Sequence, residues 1–122
     1  MSDLVVGSPS DGLSLSIGEE EIPFSATGSL DRRAPVTLYT QFRGLPPDDD
    51  LALDIAVYDG RGTIAEPLLR VSMSLRARAT ITELVRELDL SRLDSGPVRL
   101  EVAVSRRGGP PLTSRLIALE LR

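Results

Sequence analysis

Apolar and polar positions alternate along most of this chain, with the period of a β-strand. In "VTLYTQF", Val36, Leu38, Thr40 and Phe42 share one face, and Thr37, Tyr39 and Gln41 share the other. "LALDIAVY" sets Leu51, Leu53, Ile55 and Val57 against Ala52, Asp54, Ala56 and Tyr58. "VRLEVAV" turns Val98, Leu100, Val102 and Val104 inward and Arg99, Glu101 and Ala103 outward. "SRLIALELR" returns with Ile117, Leu119 and Leu121 on one face. Successive side chains of a strand point to opposite faces, so each run predicts a half-buried antiparallel strand. Val71, Met73 and Leu75 alternate with Ser72, Ser74 and Arg76, which predicts another strand over about residues 69–78. "LSLSI" (residues 13–17) alternates too, and "EIPF" around residues 22–24 is a shorter piece.

One stretch carries two patterns. In "ITELVRELDL", Ile81, Leu84, Val85 and Leu88 make a helical stripe that Thr80 or Thr82 would cap. Leu84, Leu88 and Leu90 also share a strand face. The strands predicted on both sides favour extended structure ending at Leu90.

Turn chemistry separates these runs. "RGLPPDDD" stops the strand before it, and "DGRG" and "SRRGGPPLT" are turn and hairpin signals. Pro67 excludes a helix interior and suits an edge strand or a strand start. "LDLSRLDSGPVRLEVAV" reads as a corner into a buried strand. Asp89 and Asp94 are its turn residues, Gly96 and Pro97 complete the turn, and Leu90 and Leu93 plug the end of the fold. The sum predicts an all-β protein, an immunoglobulin-like antiparallel β-sandwich of about seven strands, with a closed barrel as the second architecture. The length fits one domain over residues 1–122, in which residues 1–12 form a mobile or edge segment.

The order of "APVTLYTQFRGL", "LALDIAVYDGRGTI", "LDLSRLDSGPVRLEVAV" and "SRLIALEL" resembles bacterial immunoglobulin-like β-sandwich domains. It is similar to the sandwich segments of secreted bacterial proteins that carry GWxTD domains, and to those that follow von Willebrand A-type domains. The likeness covers roughly residues 34–121. It implies a non-catalytic, extracytoplasmic module within a larger bacterial assembly. The GWxTD tetrapeptide itself is absent, and Val98 stands where the resemblance places a tyrosine. The opening "MSDLVVGSPSDG" has neither the basic start nor the apolar stretch of a secretory signal.

Composition narrows the chemistry. All 14 cationic residues are arginine, so lysine Schiff-base and P-loop chemistry are excluded. Histidine and cysteine are absent, which removes Ser-His and Cys-His nucleophile pairs and typical zinc sites. A net charge of -4 argues against a nucleic-acid binder, and no apolar run is long enough for a membrane span. No cofactor motif is present. Aromatic content of 3%, without tryptophan, counts against sugar platforms and base stacking. The predicted role is therefore a non-enzymatic protein-interaction or structural spacer module.

Some residues still invite a function. Asp48, Asp49 and Asp50 offer oxygen ligands for a calcium-stabilised adhesion-type domain, or form a solvated turn that blocks strand pairing. "GEEEI" (residues 18–22) is an acidic contact strip or a soluble loop. A carboxylate pair would serve a small hydrolase only if a cleft held it. Arg106 and Arg107 at a hairpin tip either grip an anionic partner group or decorate a polar loop. Tyr39 and Tyr58 are either an exposed protein-contact pair or are packed under loops or on the second sheet layer. Edge strands offer a route to a homodimer.

Overall fold

The computed structural model describes residues 5–7, 14–17, 20–23, 28–46, 50–62, 66–77 and 81–122. These hold ten strands and no helix: β1 (Val5–Gly7), β2 (Ser14–Ile17), β3 (Glu20–Pro23), β4 (Ser29–Leu30), β5 (Val36–Arg43), β6 (Asp50–Asp59), β7 (Leu69–Arg76), β8 (Ile81–Leu88), β9 (Gly96–Arg106) and β10 (Pro111–Leu121). A five-stranded sheet has the order β4-β10-β9-β6-β7, and a three-stranded sheet has the order β1-β5-β8. β2 and β3 form a separate hairpin, and β3 lies alongside β1 and β5. The two larger sheets pack as a sandwich rather than closing into one barrel. Every strand pair is antiparallel except β4 with the end of β10.

The long alternating runs became the central strands. Val36, Leu38, Thr40 and Phe42 of β5 are fully buried, as are Leu51 and Leu53 of β6 and Val102 and Val104 of β9. Ile55, Val57, Val98 and Leu100 complete the inward rows of β6 and β9. The register sets Leu53 beside Val104, Ile55 beside Val102 and Val57 beside Leu100, so apolar side chains stack across the strands. β8 is extended, and its strand ends at Leu88, with Leu90 buried just beyond it. β7 ends at Arg76, two residues before the predicted limit.

The strand count differs from the expected seven because the two larger sheets hold eight, three and five. Two of these eight are short: β1 has three residues and β4 two, too few for a period-two pattern to register. Within residues 1–12, Val5–Gly7 pairs with β5 as an edge strand.

Gly60 marks a close approach. Its N–H donates to the Pro97 carbonyl at 3.0 Å, and a Cβ at Gly60 would meet Pro97 backbone atoms at 2.9 Å. Gly60→Ala is therefore expected to cost about 1–3 kcal/mol, because rigid backbone must move. Gly62→Ala, which would meet open space, should change stability by no more than about 0.5 kcal/mol. Leu53→Ala should cost about 2–5 kcal/mol. Urea unfolding of the three variants checks this order.

Candidate functional site

Strand directions bring the β4–β5 turn, the β6–β7 loop and the β8–β9 corner to one end of the sandwich. Each is held by an aspartate that accepts an N–H two residues on. Asp31 Oδ1 accepts from Arg33 at 3.0 Å, Asp59 Oδ1 from Arg61 at 2.9 Å and Asp89 Oδ1 from Ser91 at 3.0 Å. A short carboxylate satisfies a turn's backbone donor in this way without a strand partner. The Ser91 hydroxyl also donates to Asp89 Oδ1, at 2.6 Å. These bonds, from the Ser91 hydroxyl above all, hold the Asp89 carboxyl below the usual carboxylate range. Leu93 N–H closes the corner onto the Leu90 carbonyl at 3.1 Å. Leu90 is buried, and Leu93 is half-buried against the core. Asp89 is thus a turn residue and the two leucines close the end of the fold, as the sequence predicts.

A cleft of about 240 Å³ opens between the β6–β7 loop and this corner. Asp59, Arg61, Arg92 and Asp94 line its polar wall, and Leu68 and Leu93 contribute apolar surface. Neither guanidinium forms an ion pair with a carboxylate among the described residues. The cleft can hold a polar group of a partner through guanidinium donors on a partly apolar floor. Arg61 and Arg92 did not stand out in the sequence. Their only signal there is that each follows a turn-forming aspartate by two or three residues.

The opposite end carries the hairpin-tip arginines and the acidic turn. Arg107 Nη1 lies 3.4 Å from Asp50 Oδ2, and its Nη2 donates to Ser74 Oγ at 3.3 Å. Asp50 thus faces a guanidinium of the same chain, and Arg107 ties the β9–β10 hairpin to β6 and β7. Arg106, beside it, is exposed at the end of β9. Asp48 and Asp49 lie outside the described residues, as do parts of the 18–22 strip. Among the described residues, no group of three or more acidic, histidine or cysteine side chains is placed to hold a metal ion.

Tyr39 and Tyr58 are 5% and 8% exposed, so both follow the packed reading and not the exposed one. Tyr39 sits on the face of β5 turned away from the core, where its hydroxyl accepts from Gln41 Nε2 at 2.7 Å. Tyr58 lies opposite Arg99 on the outer face of the five-stranded sheet. Among the described residues, the exposed large apolar side chains are Leu68, Val85, Leu112 and Leu116. Among the described residues, no helix is long and apolar enough to cross a membrane.

The chain matches no protein-family model. No curated protein matches it either.

Two measurements check the electrostatics. The native state favours the ionised form of Asp89, so its stabilisation is present above the unfolded carboxylate value and is lost as pH falls through the depressed native value. An NMR titration should place its midpoint below that of an ordinary aspartate, and Ser91→Ala should raise it. The Asp50–Arg107 pair is about two-thirds exposed on both sides, so Arg107→Ala should cost less than about 1 kcal/mol in thermal unfolding.

Proposed function

We propose that the chain is an immunoglobulin-like sandwich module that does no chemistry of its own and serves as a protein-contact or spacer unit in a larger bacterial assembly. The observation that carries this reading is the strand order. β5 and β8 stand where the fold places strands B and E. β6, β9 and β10 stand where it places C, F and G, with β7 as the added strand beside C. β1 and β4 flank opposite sheets, like two halves of one leading strand separated by the β2–β3 hairpin. The β8–β9 corner, with Val98 in place of a tyrosine, is closed by Asp89 and the buried Leu90 instead.

The contact role draws support from the exposed leucines. Leu116 stands on the outward face of β10, and Leu112 is exposed near the start of the same strand. Leu68 flanks the arginine-lined cleft. Solvent-facing apolar groups beside polar ones are the composition of a contact surface.

Photo-crosslinking in the native cell tests the reading. A photoreactive residue at position 68, 112 or 116 should give a discrete adduct with another polypeptide from at least one position. The same residue at buried position 53 should crosslink only within the chain. A folded chain that crosslinks to nothing from all three exposed positions overturns the contact role.

A further inference from the structure

The sheet edges of this fold differ from one another, and the difference points to a docking site. An edge strand presents unpaired backbone N–H and C=O groups, which template the addition of another strand. Proteins block such edges with short strands, bulges, prolines or charges turned towards the interior. β1 and β4 are too short to template much pairing. β8 carries Arg86 in the row that faces the other sheet, opposite Leu38. β10 carries Arg115 in its inward row, opposite Val102, has a register shift near Pro111, and is paired by β4 at its end.

β7 has none of these devices. Its eight residues pair with β6 in unbroken register and contain no proline. Its inward row is Leu69, Val71, Met73 and Leu75, each half-buried and packed against the core. Among the described residues, no strand pairs with its outer edge. An added strand would bury the rest of that apolar row and satisfy the free backbone groups together.

The outward row specifies the partner's chemistry. It reads Arg70, Ser72, Ser74, Arg76, all exposed. The serines are engaged at home: Ser72 donates to the Asp54 carboxylate, and Ser74 accepts from Arg107. Among the described residues, neither Arg70 nor Arg76 forms an ion pair: Asp50, opposite Arg76, faces Arg107, and Asp54, diagonal to Arg70, accepts from Ser72. Two unpaired guanidinia therefore stand near the two ends of an open edge, about 20 Å apart along the strand. A second copy of β7 brings serine or arginine opposite Arg70 when the apolar rows match, never a carboxylate.

We propose that the β7 edge accepts an extended segment of a partner protein as an added strand, with alternate apolar residues facing inward and carboxylates opposite Arg70 and Arg76. This rests on the contact-module reading and names its partner's chemistry.

The probe is a short peptide in which valine alternates with threonine, with glutamate at two of the threonine positions, spaced as Arg70 and Arg76 are. NMR amide exchange on the full chain should slow along β7 and not along β8 or β10. Reversing both arginines, Arg70→Glu with Arg76→Glu, should weaken binding about tenfold. A peptide with lysine in place of glutamate should restore binding to that variant. Thermal unfolding should show the variant still folded and cooperative, with its midpoint only slightly below the parent's, because Arg76→Glu faces Asp50. No slowing along β7, slowing at another edge, or affinity indifferent to charge reversal overturns the proposal. So does a β7-protected dimer of the chain alone in light scattering, which would make a second copy the occupant. Crosslinks from positions 68, 112 or 116 without peptide binding would overturn this proposal and leave the contact-module reading standing.

Discussion

The fold depends on burying the inward rows of β6 and β9 against β5. The side-chain period of a strand is two, so a one-residue slip would turn each row of leucine, valine and isoleucine into water. That penalty pins the register of the central strands. Phe42, Leu38 and Val36 fill the facing layer from the other sheet. Thr40, fully buried in the same row, and Thr82, buried opposite Phe42 on β8, are polar members that the layer accommodates.

Register in turn places the loops. β4–β5, β6–β7 and β8–β9 must meet at one end, because the strands they join run antiparallel through the core. Backbone groups in these turns have no ladder to join. The same solution recurs three times, an aspartate accepting an N–H two residues ahead. Arg32 Nη1, donating to the Ser91 carbonyl at 3.4 Å, links two of the turns. Arg61 and Arg92 reach the same cleft because the core sets the loops side by side, although 31 positions separate them in the chain.

The same constraint leaves different residues at the sheet margins. Arg86, which is exposed, and Arg115, which is half-buried, interrupt the inward apolar rows at two edges, which makes pairing there expensive. β7 instead shows an unguarded apolar row flanked by arginines. With edges treated so unequally, the fold has one direction in which strand addition is easiest.

Much of this architecture was legible in local pattern. The alternating runs located β5, β6, β7, β9 and β10, and the neighbours of residues 81–88 identified that stretch as a strand despite its helical stripe. The turn roles of Asp89, Leu90 and Leu93 were also readable, because an aspartate near a glycine-proline turn acts within a few residues. The candidate site was much less legible. Strand type is encoded by adjacent residues, and alternation needs only a handful of them to declare itself. β1 and β4 are too short for that, so only their partners β5 and β10 define them. Alternation placed Tyr39 and Tyr58 on the outward faces but could not say that those faces are covered. The sequence left Asp50 as either an oxygen ligand or a solvated turn residue, and could not show that the fold brings Arg107 to it from 57 positions away. The chain by itself determined an all-β fold and the residues of its core, since burial preference and strand period are local. Tertiary structure alone decided, among the described residues, which outward residues meet, which charges stay unpaired and which edge stays open, since each depends on contacts between segments far apart in sequence.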